Sequence, residues 1–166
     1  MTPAHVTLHP GDVACVDRGG RLETLLGSCV AIVLTDPRRT VGAMCHVVHA
    51  GAPTGGCNTA YGDGALAEMA RQLRSRGIDA RQCQAWVYGG GNMFPGQVGD
   101  TAAQGNVGAA NMTWALEALQ RAGVHVLGAS VGGHAYRKLR WTVGPEAPEV
   151  EAVHMALPPG PKASTP

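Results

Sequence analysis

The chain has 166 residues, 45% hydrophobic and only 15% charged, and Lys+Arg 13 against Asp+Glu 12 leaves a formal charge of +1. Such a chain is long and apolar enough to bury one core and too apolar to be disordered throughout. It also lacks the basic excess that a phosphate backbone demands, so nucleic acid is excluded as a first reading.

No apolar run reaches the length of a membrane span, and Met1-Thr2-Pro3-Ala4-His5 carries no basic stretch leading into an apolar one. The expectation is a cytoplasmic protein that does not insert into a membrane. Cys15, Cys29, Cys45, Cys57 and Cys83 are odd in number, irregularly spaced and without a C-x-x-C pair. That pattern argues against a disulfide framework, suits a reducing compartment and leaves at least one thiol free.

In chain order, residues 29–35 are β-branched and apolar. Asp36-Pro37-Arg38-Arg39 follows as a turn, and a second apolar run covers 41–48. The three together predict a β-hairpin. Residues 63–76 predict a helix, with Leu66, Met69, Ala70 and Leu73 on one face and Gly77 at its end. Residues 84–88 read as a strand running into Gly89-Gly90-Gly91. A second helix is predicted over 107–122, with Asn106 as N-cap, a stripe of Val107, Ala110, Trp114 and Ala118, and Gly123 as its end. Residues 124–129, 136–143 and 149–155 predict further strands, the last two joined at Gly144-Pro145. The fold class is therefore α/β, with mixed or stacked sheets and helices on one side. Residues 1–156 are expected to form one domain, and the proline-rich 157–166 a flexible tail.

The chemistry-bearing signal is Leu26-Gly27-Ser28-Cys29 with His46 on the neighbouring strand. If the hairpin closes on Asp36 and Arg39, Cys29 stands directly opposite His46, with Cβ atoms roughly 4.5–5.5 Å apart. A turn longer by two residues leaves them diagonal on one face, whereas a slip of one separates them. An imidazole beside a thiol can take its proton and stabilise the thiolate. Gly27 lets a substrate carbonyl approach, amides near Ser28 and Cys29 can hold an oxyanion, and Thr24 or a nearby carbonyl can set the imidazole tautomer. The plain alternative is an inert core thiol.

Cys45, His46, His49 and Cys57 are close in sequence, but strand alternation points the first two apart, so a zinc site is poorly supported. Gly89-Gly90-Gly91-Asn92 lacks the Lys-Ser/Thr pair of a phosphate loop and reads as a wall of the site. Gly132-Gly133 reads as open backbone near it, and Arg137-Lys138 as a solvated strand end or a contact for an acidic partner.

Three segments resemble the chemoreceptor glutamine deamidase family, CheD. The first is Thr24-Leu25-Leu26-Gly27-Ser28-Cys29-Val30-Ala31, continued by Asp36-Pro37 and Gly42-Ala43-Met44-Cys45-His46. The second is Tyr88-Gly89-Gly90-Gly91-Asn92-Met93-Phe94, and the third is Val131-Gly132-Gly133 with Arg137-Lys138. The resemblance implies a layered α/β/β cysteine hydrolase related to the cytotoxic necrotizing factor toxins. It also implies hydrolysis of glutamine side chains on methyl-accepting chemotaxis receptors, without metal or cofactor. In that family's terms Cys29 is the nucleophile, His46 the base and Thr24 the third member of the triad. A monomer is the expected state. A different class of reading is a binding module that engages a CheC-like phosphatase or a receptor helix, and a third is a small zinc protein.

Overall fold

The computed structural model describes residues 2–53, 55–56, 58–93 and 107–153. Cys57, Phe94, Asn106 and the 157–166 tail singled out above lie outside the described residues.

Among the described residues, nine strands form two sheets. Strands β1 (His5–Leu8), β3 (Arg21–Leu26), β8 (Tyr136–Thr142) and β9 (Glu149–Val153) lie in the order β1-β3-β8-β9. Strands β2 (Val13–Asp17), β5 (Val41–Val47), β4 (Val30–Thr35), β6 (Gln84–Gly89) and β7 (His125–Val131) lie in the order β2-β5-β4-β6-β7. The pairs β1–β3 and β6–β7 are parallel, and the other neighbours are antiparallel. Helices α1 (Gly62–Arg74) and α2 (Val107–Arg121) cover one face of the five-stranded sheet.

The five-stranded sheet is thus the middle of three layers, which is why β4 and β5 are apolar without alternation. Val30, Ile32 and Leu34 pack toward the helices, while Ala31 and Val33 pack toward the four-stranded sheet. In β3 the pattern does alternate. Leu22, Thr24 and Leu26 are buried against the middle sheet, and Leu25 is exposed. The layered α/β/β arrangement agrees with the fold expected from the sequence.

Both helices end as their glycines demand. Gly77 and Gly123 sit at φ +78° and +72°. The Ile78 amide reaches back to the Leu73 carbonyl, and the Val124 amide to that of Leu119, each at 3.0 Å. These are Schellman-type ends. The buried face of α2 differs from the expected stripe. Gly108, Asn111, Trp114, Ala115, Ala118 and Leu119 face inward, while Val107 is exposed. The face is rotated because a polar residue, Asn111, has buried work to do. Strands β1, β2 and β3 had no counterpart in the sequence reading.

The hairpin also differs from expectation. Asp36–Arg39 is a β-turn, with the Arg39 amide donating to the Asp36 carbonyl at 2.9 Å. The ladder closes one step earlier, however, on Thr35 and Gly42. The Asp36 carboxylate holds the amides of Thr40 and Val41 at 2.8 and 3.0 Å, and Arg39 adopts φ +58°. Two extra residues are thereby drawn into the loop. His46 consequently pairs with Ala31, and Cys29 lies diagonal to it rather than opposite.

Gly42 lets the two sheets close. A Cβ built there would collide with the Trp141 ring and stand 2.5 Å from Val143 Cγ2. Gly42→Ala is expected to cost about 1–3 kcal/mol through overpacking, read as a lower urea midpoint at unchanged m-value. An unchanged midpoint would show that the Trp141 layer yields freely.

Candidate active site

Each sheet contributes to one site. Thr24 comes from β3 of the outer sheet, and His46 from β5 of the middle sheet. Cys29 comes from the short loop between β3 and β4, where the chain crosses from one sheet to the other. Thr24 and His46 are each 3% exposed. Cys29 is half-buried and packs on the same inter-sheet cluster that holds Ala31 and Met44. Cys45 belongs to the opposite, helix-side cluster, so strand alternation separates it from His46. That also removes the pair as joint metal ligands. Among the described residues, no three His, Cys, Asp or Glu side chains converge as metal ligands do.

The Thr24 hydroxyl donates to the Leu8 carbonyl at 2.8 Å and stands 2.7 Å from His46 Nδ1. A hydroxyl has a single proton. With that proton on Leu8, Thr24 accepts from His46, so Nδ1 carries the hydrogen and Nε2 is the bare nitrogen. The backbone of His46 is pinned as well. Its amide donates to the Asp12 carbonyl at 3.0 Å, and its carbonyl accepts from the Gly11 amide at 2.9 Å.

The Gly27–Cys29 loop is held by its carbonyls. Gly27 accepts from the Gly91 amide at 3.0 Å, and Cys29 from the Gly90 amide at 2.9 Å. Ser28 accepts from Asn111 Nδ2 at 3.0 Å, and the second proton of that amide serves the Val48 carbonyl at 3.0 Å. Among the described residues, no backbone carbonyl accepts from the Ser28 or Cys29 amide. A loop with its acceptors engaged and its donors open suits an anionic oxygen.

A cleft of about 630 Å³ opens on this loop. It is lined by Gly27, Ser28, Cys29 and His46, by the β1 end and following turn (Thr7 to Pro10), and by Leu25, Met93 and Tyr136. The glycines expected to wall the site stand one shell back. Gly89, Gly90 and Gly91 are buried against the Gly27–Cys29 loop, and the Gly132 amide bonds to the Gly89 carbonyl at 2.9 Å.

Burial depresses His46 to about 4, the Asp12 carboxylate opposing and His9 adding to the shift. Burial also pushes the Cys29 thiol above its ordinary value. The resting pair is therefore neutral thiol and neutral imidazole, not the thiolate–imidazolium pair that proximity alone suggests. Cys45 and Cys83, buried in the helix-side core, are pushed up to about 12. The depressed imidazole couples fold and pH. Between about 4 and the ordinary 6.5, the unfolded chain holds a proton on His46 that the folded chain lacks. Stability is expected to fall as pH drops through that window, and His46→Gln to lose less between pH 7 and pH 5 than wild type in urea titrations. Parallel pH profiles for the two proteins would contradict a buried neutral His46.

Residues 49–147 match the family model for CheD chemotactic sensory transduction. A probable chemoreceptor glutamine deamidase CheD 2 of Albidiferax ferrireducens is 38% identical over 145 residues, covering 85% of this chain and 83% of that one. The chain belongs to the CheD family. Similar relatives carrying the CheD name include one of Pseudomonas fluorescens, 37% identical over 81% of this chain and 76% of that one. Another, of Geobacter sulfurreducens, is 34% identical over 81% of each chain. An alignment over 85% of the chain includes Cys29 and His46 wherever it begins, whereas the CheD family model's match starts beyond both.

Several residues of this CheD site escaped the sequence reading. Asn111 carried a signal, being a polar side chain on the inward face of an otherwise apolar helix. Leu25 and Met93 stood in the family-like segments without a role, and His9 and Tyr136 carried no signal, because their place on the cleft depends on how the sheets stack. Arg137, read as a solvated strand end, is half-buried and turned inward onto the glycine turns, while Lys138 stays exposed.

Proposed function

We propose that this chain is a cytoplasmic protein-glutamine deamidase that converts glutamine side chains of methyl-accepting chemotaxis receptors to glutamate. The substrate class is supported by the names of its relatives, probable chemoreceptor glutamine deamidases. The chemistry is carried by one observation: the Thr24 hydroxyl, committed to Leu8, orients His46 so that Nε2 is unprotonated in a cleft that also holds Cys29.

His46 Nε2 takes the Cys29 proton as sulfur attacks the carboxamide carbon, so charge separates only when the reaction needs it. The Ser28 and Cys29 amides hold the resulting oxyanion. The imidazolium returns its proton to the nitrogen, and the C–N bond breaks to release ammonia and leave a thioester. Water, deprotonated by His46, attacks the thioester; glutamate leaves and the thiol is restored. The steps close on protein groups and water. A neutral receptor side chain becomes an anion and a methyl-accepting carboxylate.

Incubating the protein with a receptor cytoplasmic fragment tests this, with ammonia assayed and glutamine-to-glutamate conversion mapped by mass spectrometry. No conversion by wild type would end the proposal. A second experiment, in the cell, addresses a binding module with a CheC-like phosphatase as partner. A Cys29→Ala chain that keeps the chemotactic phenotype would favour binding over chemistry.

A further inference from the structure

Arg137 lies on β8 opposite Leu26, beside the cleft-lining Tyr136. Its guanidinium makes three bonds: Nη2 to the Gly132 carbonyl at 2.7 Å, Nη1 to the Gly89 carbonyl at 3.3 Å and Nε to Ser130 Oγ at 3.2 Å. Among the described residues, no carboxylate stands within ion-pair distance of it. A half-buried cation normally takes an anionic partner. This one is solvated by main-chain carbonyls from two glycine turns.

Those turns need an anchor. Gly89, Gly90, Gly132 and Gly133 sit at φ +109°, +66°, +80° and +72°. They carry no side chains that could lock them, and each is intrinsically free to leave that conformation. The Gly89–Gly90 peptide is the critical unit. Its carbonyl end accepts from Arg137 and from the Gly132 amide, and its N–H end donates to the Cys29 carbonyl. A peptide is a rigid plane. Fixing one end fixes the other, and a cation on the oxygen polarises the N–H toward Cys29.

We infer that Arg137 is a positioning residue for the nucleophile: through the Gly89–Gly90 peptide it sets the orientation of the Cys29 backbone, and with it the aim of the thiol and of the Ser28 and Cys29 amides. The inference rests on the reading of Cys29 as nucleophile. It needs the planar fork as well as the charge, so lysine is not an equivalent.

The test compares wild type, Arg137→Lys and Arg137→Ala, with added guanidinium chloride for the last. Three readouts are taken: kcat and KM for ammonia release from a receptor fragment, the pH-rate profile of Cys29 alkylation by iodoacetamide followed by mass spectrometry, and the melting temperature. Arg137→Lys is expected to remain folded and to lose about tenfold or more in kcat with little change in KM, because the missing bond acts on transition-state alignment. Its Cys29 alkylation profile should move, and millimolar guanidinium should restore part of the Arg137→Ala loss. An unmoved alkylation profile with kcat unchanged per folded molecule would overturn the proposal and leave Arg137 a stabilising residue. Failure of Arg137→Lys to fold would do the same, since that variant keeps the charge. The alkylation arm uses no substrate, so it still reads Arg137 if wild type releases no ammonia, the outcome that sinks the deamidase reading alone.

Discussion

Cys29→Ala is expected to release no ammonia above the uncatalysed background, a loss of at least about 10³-fold, while melting close to wild type. The two halves of the result follow from different features. The thiol is half-buried at the edge of the inter-sheet cluster, so removing one sulfur leaves little cavity. It is also the one described thiol that opens on the cleft, since Cys15, Cys45 and Cys83 sit in the helix-side core. None of those three can substitute. An ammonia assay and a thermal melt on the same preparation decide the matter, and full turnover by the alanine variant would remove Cys29 from the mechanism.

Thr24→Val should be the more informative substitution, because it keeps the shape and deletes only the hydroxyl. Two buried groups then lose their partner at once: the Leu8 carbonyl and His46 Nδ1–H. Leaving buried polar groups unserved costs about 1–3 kcal/mol, so the urea midpoint should fall. The imidazole is also free to carry its proton on Nε2, where it cannot act as base. The kcat is expected to fall about 10²-fold or more with KM nearly unchanged, and Thr24→Ser to recover most of it. A valine variant that is less stable but turns over normally would show that Thr24 supports the fold and not the tautomer.

Local patterning carried much of the architecture. The unbroken apolar runs of β4 and β5, the turn residues between them and the two glycine-terminated helices were legible because each rests on contacts within a few residues. The Leu-Gly-Ser-Cys segment and His46 were legible as a pair for the same reason: a hairpin brings near neighbours in sequence together. Their register was not. It turned on the Asp36 carboxylate capturing two more amides than the turn pattern required. The α2 face was misjudged at Asn111, whose burial makes sense only once the Ser28 and Val48 carbonyls are beside it.

Thus the sequence by itself determined the α/β class with helices on one side, the placing of Cys29 and His46 on one cleft and the glycine turns, all consequences of periodicity and short-range backbone chemistry. The tertiary structure alone decided which proton His46 carries, which amides stay open and what lines the cleft. Those depend on Thr24 meeting His46 across two stacked sheets, and on Asn111 and Arg137 reaching carbonyls far away in the chain. Hydrogen bonds of that kind form between groups whose separation in sequence encodes nothing about their separation in space.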